Sequence, residues 1–341
     1  MITAQWCPYV LDFTFEAITS RGSMRRKKTY FIRLADDGGH VAYGEVPLFE
    51  GLSEEDTPDF EQRLARACAN PEVAIASTLP SSIAFGFESA FARLNGDAAP
   101  TDWQLGNEGI AINGLIWMGD KELMAKRISE KLDKGFRVLK LKIGGINFDD
   151  ELELLRGIRQ RFSPADLEIR LDANGSFTPE NALGRLERLS AFDIHSIEQP
   201  IKAGQTEEMS RICRLSPIDI ALDEELIGFR TFGEKKKLVS AIAPRYLILK
   251  PALCGGFRAA DEYISIAGEG NWWATSALES NIGLEDIAAW VSRYRPAMPQ
   301  GLGTGQLYDN NIPSPLELRG SRLWRRRDGV RQSLEHLPWR Q

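Results

Sequence analysis

Short apolar bursts recur along most of this chain, and their spacing is regular. From about residue 108 onward they fall at Ile110–Ile116, Val138–Ile143, Glu168–Asp172, Ile194–Glu198, Ile220–Asp223, Tyr246–Lys250, Trp272–Thr275 and, more weakly, Met298–Leu302. The interval of about 26 residues suits one strand plus one helix per repeat. The intervening segments carry helical periodicity. Met124, Ile128 and Leu132 recur at i+4 and stop near Gly135; Leu154, Leu155, Ile158 and Phe162 form the next apolar stripe. Eight strands alternating with helices predict an α/β fold, a closed (β/α) barrel of roughly 200 residues.

The first hundred residues follow a different rhythm. Val10–Ala17, Thr29–Leu34 and His40–Glu45 read as an antiparallel meander, with Asp36–Gly39 as a turn. Ser53-Glu-Glu-Asp56 predicts a helix start, and Ser81–Leu94 a further helix. A polar joint follows at Asn95–Asp102, so this part is an α+β unit. The last residues, from about Ser314, lose the barrel period and are expected to return to the first unit.

Composition narrows the function classes. Of 341 residues, 43% are hydrophobic and 26% charged, which excludes disorder as the main state. Lys+Arg 42 against Asp+Glu 48 leaves a net charge of −6, a poor balance for binding nucleic acid. The basic run Arg325–Arg327 reads as a solvated tail. No apolar run approaches the roughly 18 residues of a membrane helix. The start MITAQWCPYVLDF lacks a basic segment followed by an apolar one, so no signal peptide is expected. Cys7, Cys68, Cys213 and Cys254 show no CxxC spacing and read as free thiols in a cytoplasmic protein.

The chemistry lies at the strand ends. Strand residues two apart share a face. In Val138-Leu-Lys-Leu-Lys142, parity turns Leu139, Leu141 and Ile143 outward and Lys140 and Lys142 inward. Arg170 and Asp172 share the inward parity on the next strand. Glu198, Asp223 and Lys250 end the following three. In a barrel these ends form the rim where active sites sit. Three converging carboxylates repel one another unless a cation relieves them. Without His or Cys, the set Asp172, Glu198 and Asp223 favours a hard ion, Mg²⁺ before Mn²⁺ or Ca²⁺. Lys142 and Lys250 approach from opposite sides of the ring. Burial and the like charge of Lys140 favour Lys142 as a base. A metal beside a lysine base suits removal of a proton next to a carboxylate. His195 has outward parity and is expected among the outer helices. His40 and His336 lie outside the barrel. Glu224 follows Asp223 as a supporting residue or a solvated turn. Gly301-Leu-Gly-Thr-Gly305 lacks nucleotide-binding spacing, and its glycine reads as room for substrate beside the backbone.

These residues resemble the signature of the enolase superfamily, muconate-lactonising subgroup: Lys140-Leu-Lys142, Asp172-Ala-Asn174, Glu198-Gln-Pro200, Asp223-Glu224 and Lys250-Pro251. The resemblance implies a (β/α)₇β barrel over residues 105–313, an α+β capping domain over 1–104, and a tail over 314–341 packed back on the cap. Within the superfamily, Thr19-Ser-Arg-Gly22, Asn113-Gly-Leu-Ile-Trp117, Ser276-Ala-Leu-Glu-Ser280 and Pro299-Gln-Gly-Leu-Gly-Thr-Gly-Gln306 are most similar to the o-succinylbenzoate synthases. That implies a Mg²⁺-dependent dehydration of a small carboxylate substrate in menaquinone biosynthesis, with Lys142 as base and acid and Lys250 as the opposing charge. Arg170, Asn174 and Lys140 would support the centre. Ser276 and Gly301 would meet the succinyl carboxylate. Arg21, within Thr19–Gly22, and Gly51-Leu52 would belong to lids from the cap. The alternative is a racemase or epimerase of N-succinylamino acids or dipeptides. Dipeptide epimerases of this superfamily usually carry a DxD pair where this chain has Gly301-Leu-Gly303. A non-catalytic protein on the same scaffold is disfavoured by the intact set of three carboxylates and two lysines.

Overall fold

The structure is a computed structural model of the whole chain, describing residues 1–19, 22–96, 99–117 and 119–341. Thr3–Thr19, Gly22–Ala35 and Val41–Val46 form an antiparallel meander in that order. One face of the middle strand, Tyr30, Ile32 and Leu34, packs on helices Phe60–Ala69 and Ser81–Asn95 through Phe60, Leu64, Ile83 and Phe87. The other face presents Phe31, which joins Ile282, Ile312 and Leu334 in the seam with the second unit. The expected helix at Ser53 is absent. Ser53 instead accepts the Phe49 amide at 2.9 Å in a turn, and the helix begins at Phe60.

The second unit is the barrel. Seven parallel strands run in order as Gly114–Ile116, Val138–Lys142, Glu168–Asp172, Ser196–Glu198, Ile220–Leu222, Tyr246–Leu249 and Trp272–Ala274. Below they are the first to seventh barrel strands. The eighth position is held by bridges Thr275–Gly301 and Ile112–Gln300, which close the ring onto the first strand. Gln300 strengthens that closure: its buried amide accepts the Ala274 amide proton at 2.7 Å and donates to the Met298 carbonyl at 2.6 Å. Helices surround the strands and are capped locally, as by Asp120 on the Leu123 amide and by the reciprocal Thr231–Glu234 pair.

The predicted first strand is split. Ile110–Ala111 leaves the barrel and pairs with Arg322–Arg325, which pairs with Leu316–Arg319. Further along, Arg340 exchanges backbone hydrogen bonds with Trp6 of the first sheet at 2.8 and 2.9 Å. The basic run is not simply solvated. Arg325 bonds the Gln104 carbonyl and pairs with Glu285, while Arg327 bonds Asn107. Glu285 and Asp286, buried on helix Asn281–Ser292, also receive Arg331 from the tail, and Asp286 receives Arg93 from the cap.

Candidate active site

Register puts the charged side chains together. Lys142 lies directly opposite Asp172, and Asp172 opposite Glu198. Direct partners in a parallel ladder point to the same face, so these three form one inward row on the second, third and fourth strands. One level lower, Lys140 lies opposite Arg170, and Arg170 opposite Ser196. The outward positions Leu139, Leu141, Ile169 and Leu171 are buried against the helices. Asp223 and Lys250 follow the fifth and sixth strands.

At the centre, Lys140 Nζ sits 2.9 Å from Asp172 Oδ2 and 2.6 Å from Glu198 Oε2. Lys142 Nζ lies 3.4 Å from Asp172 Oδ2 and donates to Asn174 Oδ1 at 2.7 Å. Lys250 donates to Asp223 Oδ2. Burial alone would strip the proton from Lys140, but Asp172, Glu198 and Asp223 outweigh it and hold its pKa above the ordinary lysine value. Lys250 behaves likewise, with Asp223 and Glu198 as the carboxylates. Burial disfavours the charge on Asp172 too, but Lys140, Lys142 and Lys250 pull its pKa below the usual range. For Glu198, burial and the neighbouring Asp172 win, and its pKa stands well above that of an ordinary carboxyl.

Asp172, Glu198 and Asp223 are all but completely buried. Oε2 of Glu198 and Oδ2 of Asp172 meet only lysine ammonium groups, and Oε1 of Glu198 has no partner among the described residues. Buried carboxylate oxygens without hydrogen bonds are costly, and a hard cation satisfies them. Among the described residues, no three carboxylates already stand close enough together to grip an ion. Lys140 bridges Asp172 and Glu198, and Lys250 is turned onto Asp223. The donor set nevertheless fits a hard divalent cation in being all oxygen.

The backbone around the carboxylates is held firmly. Asn174 and Gln199 both adopt positive φ, 44° and 41°. Gln199 Oε1 receives the amides of Asp223 and Glu225 at 3.1 and 3.2 Å, which fixes where the fifth strand delivers Asp223. Asn174 donates to Glu224 Oε1 at 3.2 Å, so Glu224 belongs to this network.

The cavity above the centre is lined by Lys140, Lys142, Asp172, Asn174, Glu224 and Lys250 on the polar side. Leu115, Trp117, Leu253, Ala277 and Leu278 form its apolar walls, and Phe49 and Leu52 reach in from the cap. Ser276 and Gly301 line it as well. The Ser276 hydroxyl is already engaged: it donates to Glu279 Oε2 at 2.5 Å and accepts the Leu278 amide at 2.9 Å. At Gly301, a Cβ would lie 2.3 Å from Thr275 Oγ1, so barrel closure itself demands glycine there. Sequence reasoning missed Phe49, Asn113 and Thr304, which also line the cavity.

Two expectations change, and a third is left untested. Arg170 turns downward, away from the base and the carboxylates. It bonds Glu168 at 2.7 Å and the Pro299 carbonyl at 2.9 Å, and stacks 4.3 Å from the Trp273 ring centre. His195 is not among the outer helices. It precedes the fourth strand, so strand alternation does not govern it, and its ring stacks 5.1 Å from Tyr246 beneath the rim. Arg21 lies outside the described residues.

The comparisons with known proteins extend over most of the chain. Residues 123–283 match the family described as enolase C-terminal domain-like. An o-succinylbenzoate synthase from Desulfotalea psychrophila is 44% identical, over 92% of this chain and 96% of that protein. The crystal structure of MenC from Desulfotalea psychrophila superposes with a TM-score of 0.79 at 40% identity, covering 95% of this chain and 99% of that one. An o-succinylbenzoate synthase from Thermosynechococcus elongatus, solved with Mg in the active site, shares the fold. Its TM-score is 0.74 at 22% identity, over 90% of this chain and 94% of that one.

Proposed function

Because the chain belongs to the o-succinylbenzoate synthase family of the enolase superfamily, we propose how its own residues divide the reaction between them. It is a lyase. It dehydrates 2-succinyl-6-hydroxy-2,4-cyclohexadiene-1-carboxylate to 2-succinylbenzoate, a step of menaquinone biosynthesis.

Lys142 removes the ring proton next to the ring carboxylate, and the C–H electrons pass into the carboxylate as an enediolate. The same lysine, now an ammonium, gives its proton to the departing hydroxyl. The C–O bond breaks, water leaves, and the ring becomes aromatic. Asn174, bonded to Lys142 at 2.7 Å, aims the amine. Lys250 keeps its proton and sets a positive charge opposite the developing enediolate. Phe49 and Leu52 cover the centre and exclude water. Asp172, Glu198 and Asp223 would hold Mg²⁺, or Mn²⁺ in its place. When bound, the ion supplies positive charge beside the substrate's ring carboxylate. A cytoplasmic location is part of this proposal, and the four free cysteines support it.

The observation that carries this division of labour is the contact pattern of the two lysines. One touches Asp172 and Asn174 from the second strand, the other Asp223 from beyond the sixth. The test is dehydration by purified protein before chelation, after it, and after Mg²⁺ is restored. Activity should vanish and return. Full activity in metal-free protein would refute the metal assignment. Efficient exchange of the α-proton of both enantiomers of N-succinyl amino acids, without dehydration, would favour the racemase.

A further inference from the structure

A second cavity lies between helix Ser81–Asn95 of the cap and helices Gly256–Ala267 and Asn281–Ser292 of the barrel. Its volume is about 630 Å³, within the range of sites for small organic ligands. Among the described residues, none lines both this cavity and the active-site cavity. We propose that it binds a flat, uncharged aromatic molecule carrying one N–H or O–H donor, which bridges the cap and the barrel. The assignment does not depend on the dehydration reading.

Two oxygens call for the donor. Ser89 and Asp286 line the cavity and are 2% and 7% exposed. Asp286 Oδ1 accepts from Arg93 at 2.6 Å and from Arg331 at 3.2 Å, but its Oδ2 has no hydrogen-bond partner among the described residues. Ser89 Oγ has none either. Ser89 stands one turn before Arg93 on the cap helix, so the serine shares a helix face with the arginine that holds Asp286. Buried polar atoms are normally paired, and a bare carboxylate oxygen is among the costliest exceptions. An N–H or O–H entering the cavity satisfies it with a charge-assisted hydrogen bond.

The walls select the rest of the ligand. Phe91, Trp103, Phe257 and Trp290 line the cavity. The ring N–H groups of Trp103 and Trp290 are engaged by the Leu323 carbonyl and by Asp261, at 2.9 and 2.7 Å, so both offer a ligand apolar ring surface. Such walls favour a flat ring, which stacks on them or meets them edge on. Charge around the cavity is balanced. Glu88 pairs with Arg258, Asp286 with Arg93 and Glu285 with Arg325, while Asp261 and Arg293 add one charge of each sign. A charged ligand would lose its hydration here without meeting a net opposing charge, so a neutral one is favoured.

The test is calorimetry with indole on the full chain, with and without Mg²⁺ and saturating 2-succinylbenzoate. Indole should bind at one site with a Kd of about 1 mM or tighter, the scale for so small a ligand. Its affinity should not change when 2-succinylbenzoate is present. 1-Methylindole, which lacks the donor, and benzylammonium, which is charged, should each bind about tenfold more weakly or worse. Indole should also raise the melting temperature, because it binds only the assembled cap and barrel. Asp286→Asn keeps Oδ1 for the arginines and replaces the bare oxygen, and should weaken indole binding about tenfold. If that variant fails to fold, Ala289→Phe decides: it fills the cavity from a partly exposed position, and should abolish indole binding while leaving dehydration unchanged. Four results would each overturn the assignment: no saturable binding of indole, equal affinity for 1-methylindole or benzylammonium, displacement by 2-succinylbenzoate, or binding that survives Ala289→Phe.

Discussion

Lys142 donates to Asn174 across the gap between the second and third strands, at 2.7 Å. Asn174 holds a backbone conformation with φ of 44° and bonds Glu224 through its other side-chain atom. The amide is thus clamped before it receives the lysine, and the lysine is aimed by something that does not itself react.

Removing that aim should cost rate more than affinity. Asn174→Ala is expected to lower kcat by about 10²-fold, the scale of an ångström-sized misplacement of a reacting group. KM should move much less. Steady-state kinetics on the cyclohexadiene substrate checks this, and a kcat within threefold of wild type would remove Asn174 from the positioning of the base.

His195 tests the geometry of the lower barrel. Its ring stacks on Tyr246 and accepts or donates at Ser196 Oγ, 2.9 Å away, in the layer beneath the carboxylates. His195→Asn should leave turnover within about threefold, since nothing reacts at that level of a barrel. It should also change the pH dependence of stability. Burial, the largest influence, lowers the folded pKa below the ordinary 6.5, with Arg170 helping and Glu168 opposing. A neutral histidine in the folded state gives stability that is complete above the unfolded value. That stability falls as pH drops below about 6.5, where the unfolded chain takes up the proton. Wild type should therefore lose stability relative to His195→Asn between pH 7.5 and 5.5, measured by denaturant unfolding. Parallel losses in the two proteins would contradict this.

Much of this site was legible in the chain, for a simple reason. Period-two parity on Val138–Lys142 and Glu168–Asp172, combined with the repeat length, fixes which side chains reach the rim, and the ladder register follows it residue by residue. What parity cannot tell is how far along the barrel axis a long side chain bends. Arg170 has the inward parity of Asp172 but turns down to Glu168 and Trp273. Nor does parity apply beyond a strand's end, which is why His195 was misplaced. Asn113 and Thr304 sit in segments the resemblance singled out, but that their side chains line the cavity is a property of three dimensions. The split at Ile110–Ala111 was hidden because a single apolar run serves two sheets. The ion cluster of Glu285, Asp286, Arg93 and Arg331 joins three distant segments and leaves no local pattern.

The two lysines differ in what they are asked to do. Lys250, on the far side from the base, contributes charge. Lys250→Ala should be severely impaired, by about 10²-fold or more, the scale for a lost preorganised charge. Lys250→Arg, which keeps the charge, should recover part of the rate on the cyclohexadiene substrate. A 1,1-proton transfer would instead require Lys250 to exchange a proton, which arginine cannot do because it stays protonated. If arginine were no better than alanine while wild type racemised N-succinyl amino acids, the electrostatic role would be wrong.

The central claim is that one lysine, Lys142, performs both proton transfers. The direct measurement is dehydration by Lys142→Ala, in protein shown to be folded and to bind Mg²⁺ as wild type does. Each general acid–base role is worth roughly 10²–10⁴-fold, so losing both should reduce turnover by at least about 10⁴-fold. Turnover within about tenfold of wild type would mean that another group moves the protons, and the assignment would fail.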